Sequence, residues 1–208
     1  CSTDGLLVWD VASERLVDEI AVGVLVDVEF SPDGERLAGA GEGLFVWDAA
    51  TRRPLLAHRP ERGAGALVFA RDGSLLASHG PRIDVWSVDE KCRLRTLRGH
   101  AEEVQWLAVS PRGDTLLSST FREDVRLWHL PSGEPLAVLE RAPGYRRREH
   151  VLGPGSYSPD GARVATVSPD HTVRVWRIGR EERSPAELRP LIARLARDAA
   201  GDGGAGGR

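Results

Sequence analysis

A tryptophan that closes a short, apolar-alternating stretch recurs five times along this chain of 208 residues. The stretches read Leu6-Leu7-Val8-Trp9-Asp10, Leu44-Phe45-Val46-Trp47-Asp48, Ile83-Asp84-Val85-Trp86-Ser87, Val125-Arg126-Leu127-Trp128-His129 and Val173-Arg174-Val175-Trp176-Arg177. Subtracting the positions of Trp9, Trp47, Trp86, Trp128 and Trp176 gives intervals of 38, 39, 42 and 48 residues. A second marker keeps step with the first: Ser31-Pro32-Asp33-Gly34, Ala70-Arg71-Asp72-Gly73, Ser110-Pro111-Arg112-Gly113 and Ser158-Pro159-Asp160-Gly161. A fixed period of this size means one small unit repeated. No such unit buries its own apolar face, so each must stack on the next.

The chemistry of the markers fixes what the unit is. In Ser-Pro-Asp-Gly, proline pre-sets φ at the second position of a tight turn and glycine accepts the geometry that follows. An apolar stretch precedes each turn (24–30, 66–69, 104–109, 155–157), and a small-residue strand such as Leu75-Leu76-Ala77-Ser78 follows it. A second turn leads into the tryptophan stretch, and a weaker apolar run such as Leu136-Ala137-Val138-Leu139 comes after. Four short strands per period, with turn signals between them, predict antiparallel meanders and an all-β fold.

The order Gly99-His100, an apolar 104–109, Ser110-Pro111-Arg112-Gly113 and Val125-Arg126-Leu127-Trp128 resembles a WD repeat. That family builds propeller blades of four strands from repeats of about 40–45 residues. The resemblance covers residues 1 to about 178. It implies a partial β-propeller over 1–179: the third strand of a first blade at 5–10, then four fuller repeats, with the remaining blades expected upstream. It also implies a buried network of a loop His, a turn Asp, a strand hydroxyl and the Trp. Carried over residue by residue, the fourth repeat offers His100, a hydroxyl from Ser118 or Ser119, and Trp128, with Arg122-Glu123-Asp124 where the turn Asp is sought. The fifth offers His150, Ser168, Asp170 and Trp176, although His150 stands directly before Val151. The second has Glu42 in place of the Asp and the third has Gly80-Pro81. These departures predict reliance on apolar packing rather than on polar networks.

Residues 180–208 depart from the pattern. Ser184-Pro185-Ala186-Glu187 has capping-box spacing, and Leu188, Leu191, Ile192 and Leu195 recur at helical spacing. Pro190 restricts the predicted short C-terminal helix to about 190–199, ahead of a glycine-rich tail expected to be disordered. An insertion at about 142–149, with Arg146-Arg147-Arg148, accounts for the longest interval and is read as a solvated charged loop.

Several chemical-looking motifs fit the repeat better than a reaction. Gly39-Ala40-Gly41-Glu42-Gly43 leads into a strand, whereas a phosphate-binding fingerprint opens a helix. Arg112-Gly113-Asp114 occupies the turn that is Pro-Asp-Gly elsewhere. His58, His79, His100, His129, His150 and His171 are dispersed, without a close metal-ligand spacing, so no metal and no cofactor are expected. Trp106 reads as core. No apolar run reaches the roughly 20 residues of a bilayer span. A net charge of -3 argues against a general phosphate-binding surface. Two cysteines give no disulfide framework and point to a reducing, cytoplasmic setting. One lysine, no asparagine and no methionine point to a GC-rich bacterial genome and to an internal piece of a longer chain.

The expected function is a non-catalytic scaffold that holds other proteins, or upstream domains of its own chain, with neither nucleic acid nor a small molecule as ligand. In bacteria the family is often joined to signalling modules such as a switch ATPase or a protein kinase, which the resemblance extends to this chain. Contact is expected through the loop before each first strand and the turn before each tryptophan strand. Arg82, Glu102, Glu103, Arg122 and Glu123 are the candidate residues on that face. The competing reading is a propeller hydrolase or lyase working in the central channel, which the apolar first strands disfavour.

Overall fold

The computed structural model describes residues 5–61, 63–120, 125–139, 155–167 and 172–178. These residues are all-β, with no helix among them, and form five antiparallel sheets. The first sheet holds β1 (Gly5–Asp10) and β2 (Arg15–Ala21). The second holds β3 (Leu25–Phe30), β4 (Arg36–Gly41), β5 (Leu44–Asp48) and β6 (Pro54–His58). The third comprises β7 (Leu67–Phe69), β8 (Leu75–His79), β9 (Arg82–Ser87) and β10 (Cys92–Arg98). The fourth comprises β11 (Val104–Val109), β12 (Thr115–Thr120), β13 (Val125–His129) and β14 (Glu134–Leu139). The fifth shows β15 (Ser156–Tyr157), β16 (Arg163–Val167) and β17 (Val173–Arg177). Strand order follows chain order in every sheet, and the first strands β3, β7, β11 and β15 adjoin one another in turn. That is a row of propeller blades, open at both ends among the described residues. The first blade has the fourth strand, β2, as well as the third strand expected from the sequence. The anticipated 190–199 helix, the 142–149 insertion and the tail lie outside the described residues.

The core sits between the blades. Ala38, Leu44 and Val46 of the second sheet pack against Leu67, Leu75 and Trp86 of the third. Leu76, Ile83 and Leu97 of the third meet Leu107, Leu116 and Trp128 of the fourth. Leu117, Leu127 and Leu139 of the fourth meet Val164 and Trp176 of the fifth. Covered on both faces, β8 and β12 are buried at every position, which explains why they read as unbroken small and apolar runs rather than as alternating strands.

Each tryptophan faces the blade before its own. Trp9 therefore departs from the other repeat tryptophans: it is 57% exposed, while Trp47, Trp86, Trp128 and Trp176 are buried. Trp9 opens the array, and no described sheet precedes it. Val26, Val28 and Phe30 of β3 are exposed for the same reason, because the first sheet covers only Leu37, Phe45 and Trp47 toward the outer side. At the other end Val173 and Val175 point where a following blade would stand and are likewise exposed.

The Ser-Pro-Asp-Gly corners form as their composition predicts. Gly34 N–H donates to the Ser31 carbonyl at 2.8 Å and Gly34 takes φ 75°, a left-handed conformation that glycine adopts without a Cβ clash. The Ser31 hydroxyl donates to Asp33 at 2.5 Å and accepts Arg36 N–H at 2.9 Å. Where Arg112 replaces the aspartate, Asp114 beyond the glycine accepts the Ser110 hydroxyl at 2.5 Å. The Arg112-Gly113-Asp114 tripeptide is thus folded into its own corner.

Arginines tie neighbouring blades together along their edges. Arg36 pairs with Asp89 at 2.5 Å, Arg71 donates to the Pro111 carbonyl at 3.0 Å, and Arg112 donates to the Asp160 carbonyl at 3.2 Å. Asp27 and Glu29 of β3 accept the backbone N–H groups of Leu67 and Phe69, covering the free edge of the adjoining first strand. Burial, reinforced by the Asp27 charge, pushes the Glu29 carboxyl up to about 7 against the opposing Phe69 hydrogen bond.

Candidate interaction surface

The turns that lead into the tryptophan strands and the loops that lead into the first strands share one rim. A groove of about 610 Å³ runs along it, lined from three successive blades. Its residues include Val24 before β3 and Val26 within it, Glu42 in the β4–β5 turn, Pro60 and Glu61 in the β6–β7 loop, and Glu103 and Gln105 at the start of β11. Among the predicted contact residues, Glu103 lines this groove and Glu102 precedes it, partly buried. Arg122 and Glu123 lie outside the described residues.

Arg82 lines a second cavity, of about 560 Å³, which shares Pro60 and Glu61 with the groove. His58, His79, Pro81, Arg93 and Arg98 complete it. Behind this cavity Asp84 is fully buried. Its carboxylate accepts the Thr96 hydroxyl at 2.5 Å and Arg93 Nη1 at 3.4 Å, and Arg82 Nε stands 3.5 Å away. His79 donates from Nδ1 to the Gly63 carbonyl at 2.9 Å, which leaves Nε2 as a lone pair 3.9 Å from Asp84. Burial holds the His79 ring below the usual histidine range and therefore neutral.

The polar networks behind the tryptophans differ from blade to blade. In the fourth, the Ser118 hydroxyl accepts Trp128 Nε1–H at 2.8 Å and lies 2.6 Å from His100 Nε2. Ser118, not Ser119, therefore joins His100 to Trp128. In the fifth, Trp176 Nε1–H donates to Thr166 at 3.0 Å. Thr166 stands at the register position of Ser118, because the antiparallel pairing sets Ser118 opposite Arg126 and Thr166 opposite Arg174, each two residues before its tryptophan. Ser168, Asp170 and His150 lie outside the described residues. The equivalent positions in the second and third blades are Gly39 and Ala77, which have no hydroxyl. A Cβ on Gly39 would meet Leu25 at 3.0 Å and Trp47 at 3.2 Å, so glycine there admits the indole. Trp86 Nε1 is buried without a partner, and His58 packs on the Trp86 ring at 4.7 Å between centroids.

Asp84, His58, His79, Thr96, Arg93 and Arg98 were not singled out from the sequence. One signal was present: Asp84 stands two residues before its tryptophan, where the neighbouring repeats carry Phe45 and Arg126, in a strand whose pattern predicts burial. The dispersed histidines also hid a meeting, since the His58 and His79 rings lie 6.0 Å apart. No group of three or more His, Cys, Asp or Glu residues among the described residues is placed to hold a metal ion.

Comparison with known proteins identifies matches to the WD domain, G-beta repeat family at residues 91–129 and 155–177. A WD repeat-containing protein of Synechocystis sp. is 29% identical over 152 residues, covering 69% of this chain and 41% of its own. The eukaryotic translation initiation factor 3 subunit I of Emericella nidulans is 34% identical over 119 residues, covering 56% of this chain and 33% of its own. The WD repeat-containing protein srw1 of Schizosaccharomyces pombe is 24% identical over 140 residues, covering 61% of this chain and 25% of its own. The chain thus spans well under half the length of these relatives.

Proposed function

The chain belongs to the WD-repeat family, and from that premise we propose that it is a non-catalytic scaffold holding a partner polypeptide in the rim groove. One observation carries the reading: the groove is built jointly from loops and turns of three successive blades. The loops of the third and fourth blades are anchored by strands buried between sheets, so that part of the surface is presented with little ordering cost on binding. Its charged groups are surface carboxylates, Glu42, Glu61 and Glu103, beside apolar Val24, Val26 and Pro60. This mixture suits an extended polypeptide with basic and apolar side chains. The inner strands support the same reading, since Asp27 and Glu29 are engaged with the neighbouring strand. The reading extends to a cytoplasmic setting and to a place in a larger bacterial signalling or regulatory protein.

The test reverses charge on the groove alone. Proteins captured by the immobilised full-length protein are compared with those captured by a Glu61→Lys, Glu103→Lys variant. A second comparison uses Asp72→Lys, in a corner of the opposite rim. Loss of captured partners from the groove variant only, with unchanged circular dichroism, is expected. Identical partner sets from all three proteins would remove the groove as the binding surface.

A further inference from the structure

Every buried side-chain nitrogen that lacks a hydrogen-bond partner among the described residues belongs to the third blade: His79 Nε2, Arg82 Nε and Trp86 Nε1. Folded interiors leave few such groups, and each calls for a physical reason. Trp86 Nε1–H is a donor only and lacks an acceptor, while Arg82 Nε–H faces the Asp84 carboxylate at 3.5 Å without forming a hydrogen bond. Arg82 lines the 560 Å³ cavity, and Trp86 lies against His58, which lines it too.

The charge of the cavity points the same way. The chain carries a net -3, yet three guanidiniums converge here. Asp84 lies behind them, within ion-pair distance of both Arg82 and Arg93. Arg98 is exposed at the mouth. Against Arg82, Arg93 and Arg98 stand the carboxylates of Asp84 and Glu61, and His79 is neutral, which leaves one net positive charge. A single carboxylate balances that charge and matches the planar donor fork of arginine. A phosphate dianion would leave a negative charge uncompensated close to buried Asp84. The wall of Pro60 and Glu61 is common to cavity and groove, so a polypeptide lying along the groove can turn one side chain over it.

We infer that this cavity is a pocket for an acidic side chain, glutamate or aspartate, of the partner polypeptide. The inference rests on the scaffold reading and names the chemistry at one point of the contact. It is tested with the full-length protein at low ionic strength. The probes are acetylated, amidated peptides that differ only in a central run of three glutamates, three glutamines or three phosphoserines. The glutamate peptide is expected to bind at least about tenfold more tightly than the glutamine peptide. Arg98→Gln, at an exposed position, removes at least about tenfold of that affinity, and Arg15→Gln on β2 removes none. Equal binding of the glutamate and glutamine peptides, an unchanged affinity in Arg98→Gln, or tightest binding of the phosphoserine peptide would each overturn the pocket. Capture of proteins through the groove is scored separately. Its survival in Arg98→Gln alongside failed peptide binding would sink this pocket and leave the scaffold standing.

Discussion

At the scale of single residues, one hydroxyl ties the tryptophan of the fourth blade, and one that of the fifth, to its neighbouring strand. Ser118 serves two buried nitrogens, Trp128 Nε1 and His100 Nε2, in a place with no room for exchange with solvent. Ser118→Ala removes both contacts and leaves the nitrogens buried, at a cost of about 2–3 kcal/mol. The third blade offers the converse experiment. Ala77 holds the same register position and Trp86 Nε1 has no partner. Ala77→Ser supplies the missing acceptor and is expected to stabilise by about 1 kcal/mol. Urea unfolding of the two variants should move in opposite directions. A loss of stability in both would show that the indole of the third blade is held differently from that of the fourth.

At the scale of the element, the outer hairpin of each of the first four blades turns on a residue with positive φ. Glu14, Arg52, Lys91 and Gly133 occupy this place, with φ of 54°, 61°, 52° and 74°. Three of the four carry a Cβ where only glycine is free of strain. The residue after the tryptophan compensates: Asp10 accepts the N–H and hydroxyl of Ser13, and Asp48 accepts those of Thr51. These bonds hold both carboxyls below the usual aspartate range. The third blade has Ser87 instead, which accepts only Glu90 N–H at 3.1 Å. Lys91→Gly, in the least supported of these turns, is expected to stabilise by about 0.5–1 kcal/mol, the left-handed strain relieved less the entropy glycine loses on folding. Thermal unfolding checks it, and Gly133→Lys should shift the midpoint the other way.

At the scale of the whole molecule, the two ends of the array decide behaviour. Leu7, Trp9, Val28 and Phe30 at the leading face and Val173 and Val175 at the trailing face are apolar and exposed. The 208-residue chain produced alone is therefore expected to self-associate with rising concentration, and Trp9→Asp with Phe30→Asp to reduce this in sedimentation velocity. The substitutions also separate the tryptophans by position. Trp9→Ala should change unfolding free energy by no more than about 0.5 kcal/mol, the usual surface value. Trp128→Ala, at 1% exposure, should cost about 3–5 kcal/mol. Equal costs would mean that Trp9 is covered in solution by something outside the described sheets.

Local chemistry was legible in the sequence. The Pro-Asp-Gly corners, the strand alternation and the period of the tryptophans each act within one repeat, so residue order alone determined the meander and its four-strand rhythm. The network partners Trp128 and His100, with a hydroxyl from Ser118 or Ser119, came from the resemblance to WD repeats, and the fold selected Ser118. What only the tertiary structure decided depends on the stacking of one sheet upon the next. Stacking buries four tryptophans and exposes Trp9, because each indole packs on the preceding blade and the first has none. It also sets Thr166 against the Trp176 indole, since cross-strand register selects which hydroxyl faces the ring. The Arg82, Arg93, Arg98 and His79 cavity arises where a loop from one blade closes over a turn of the next. Its members are separated along the chain by other strands, and no periodic pattern within a single repeat brings them together.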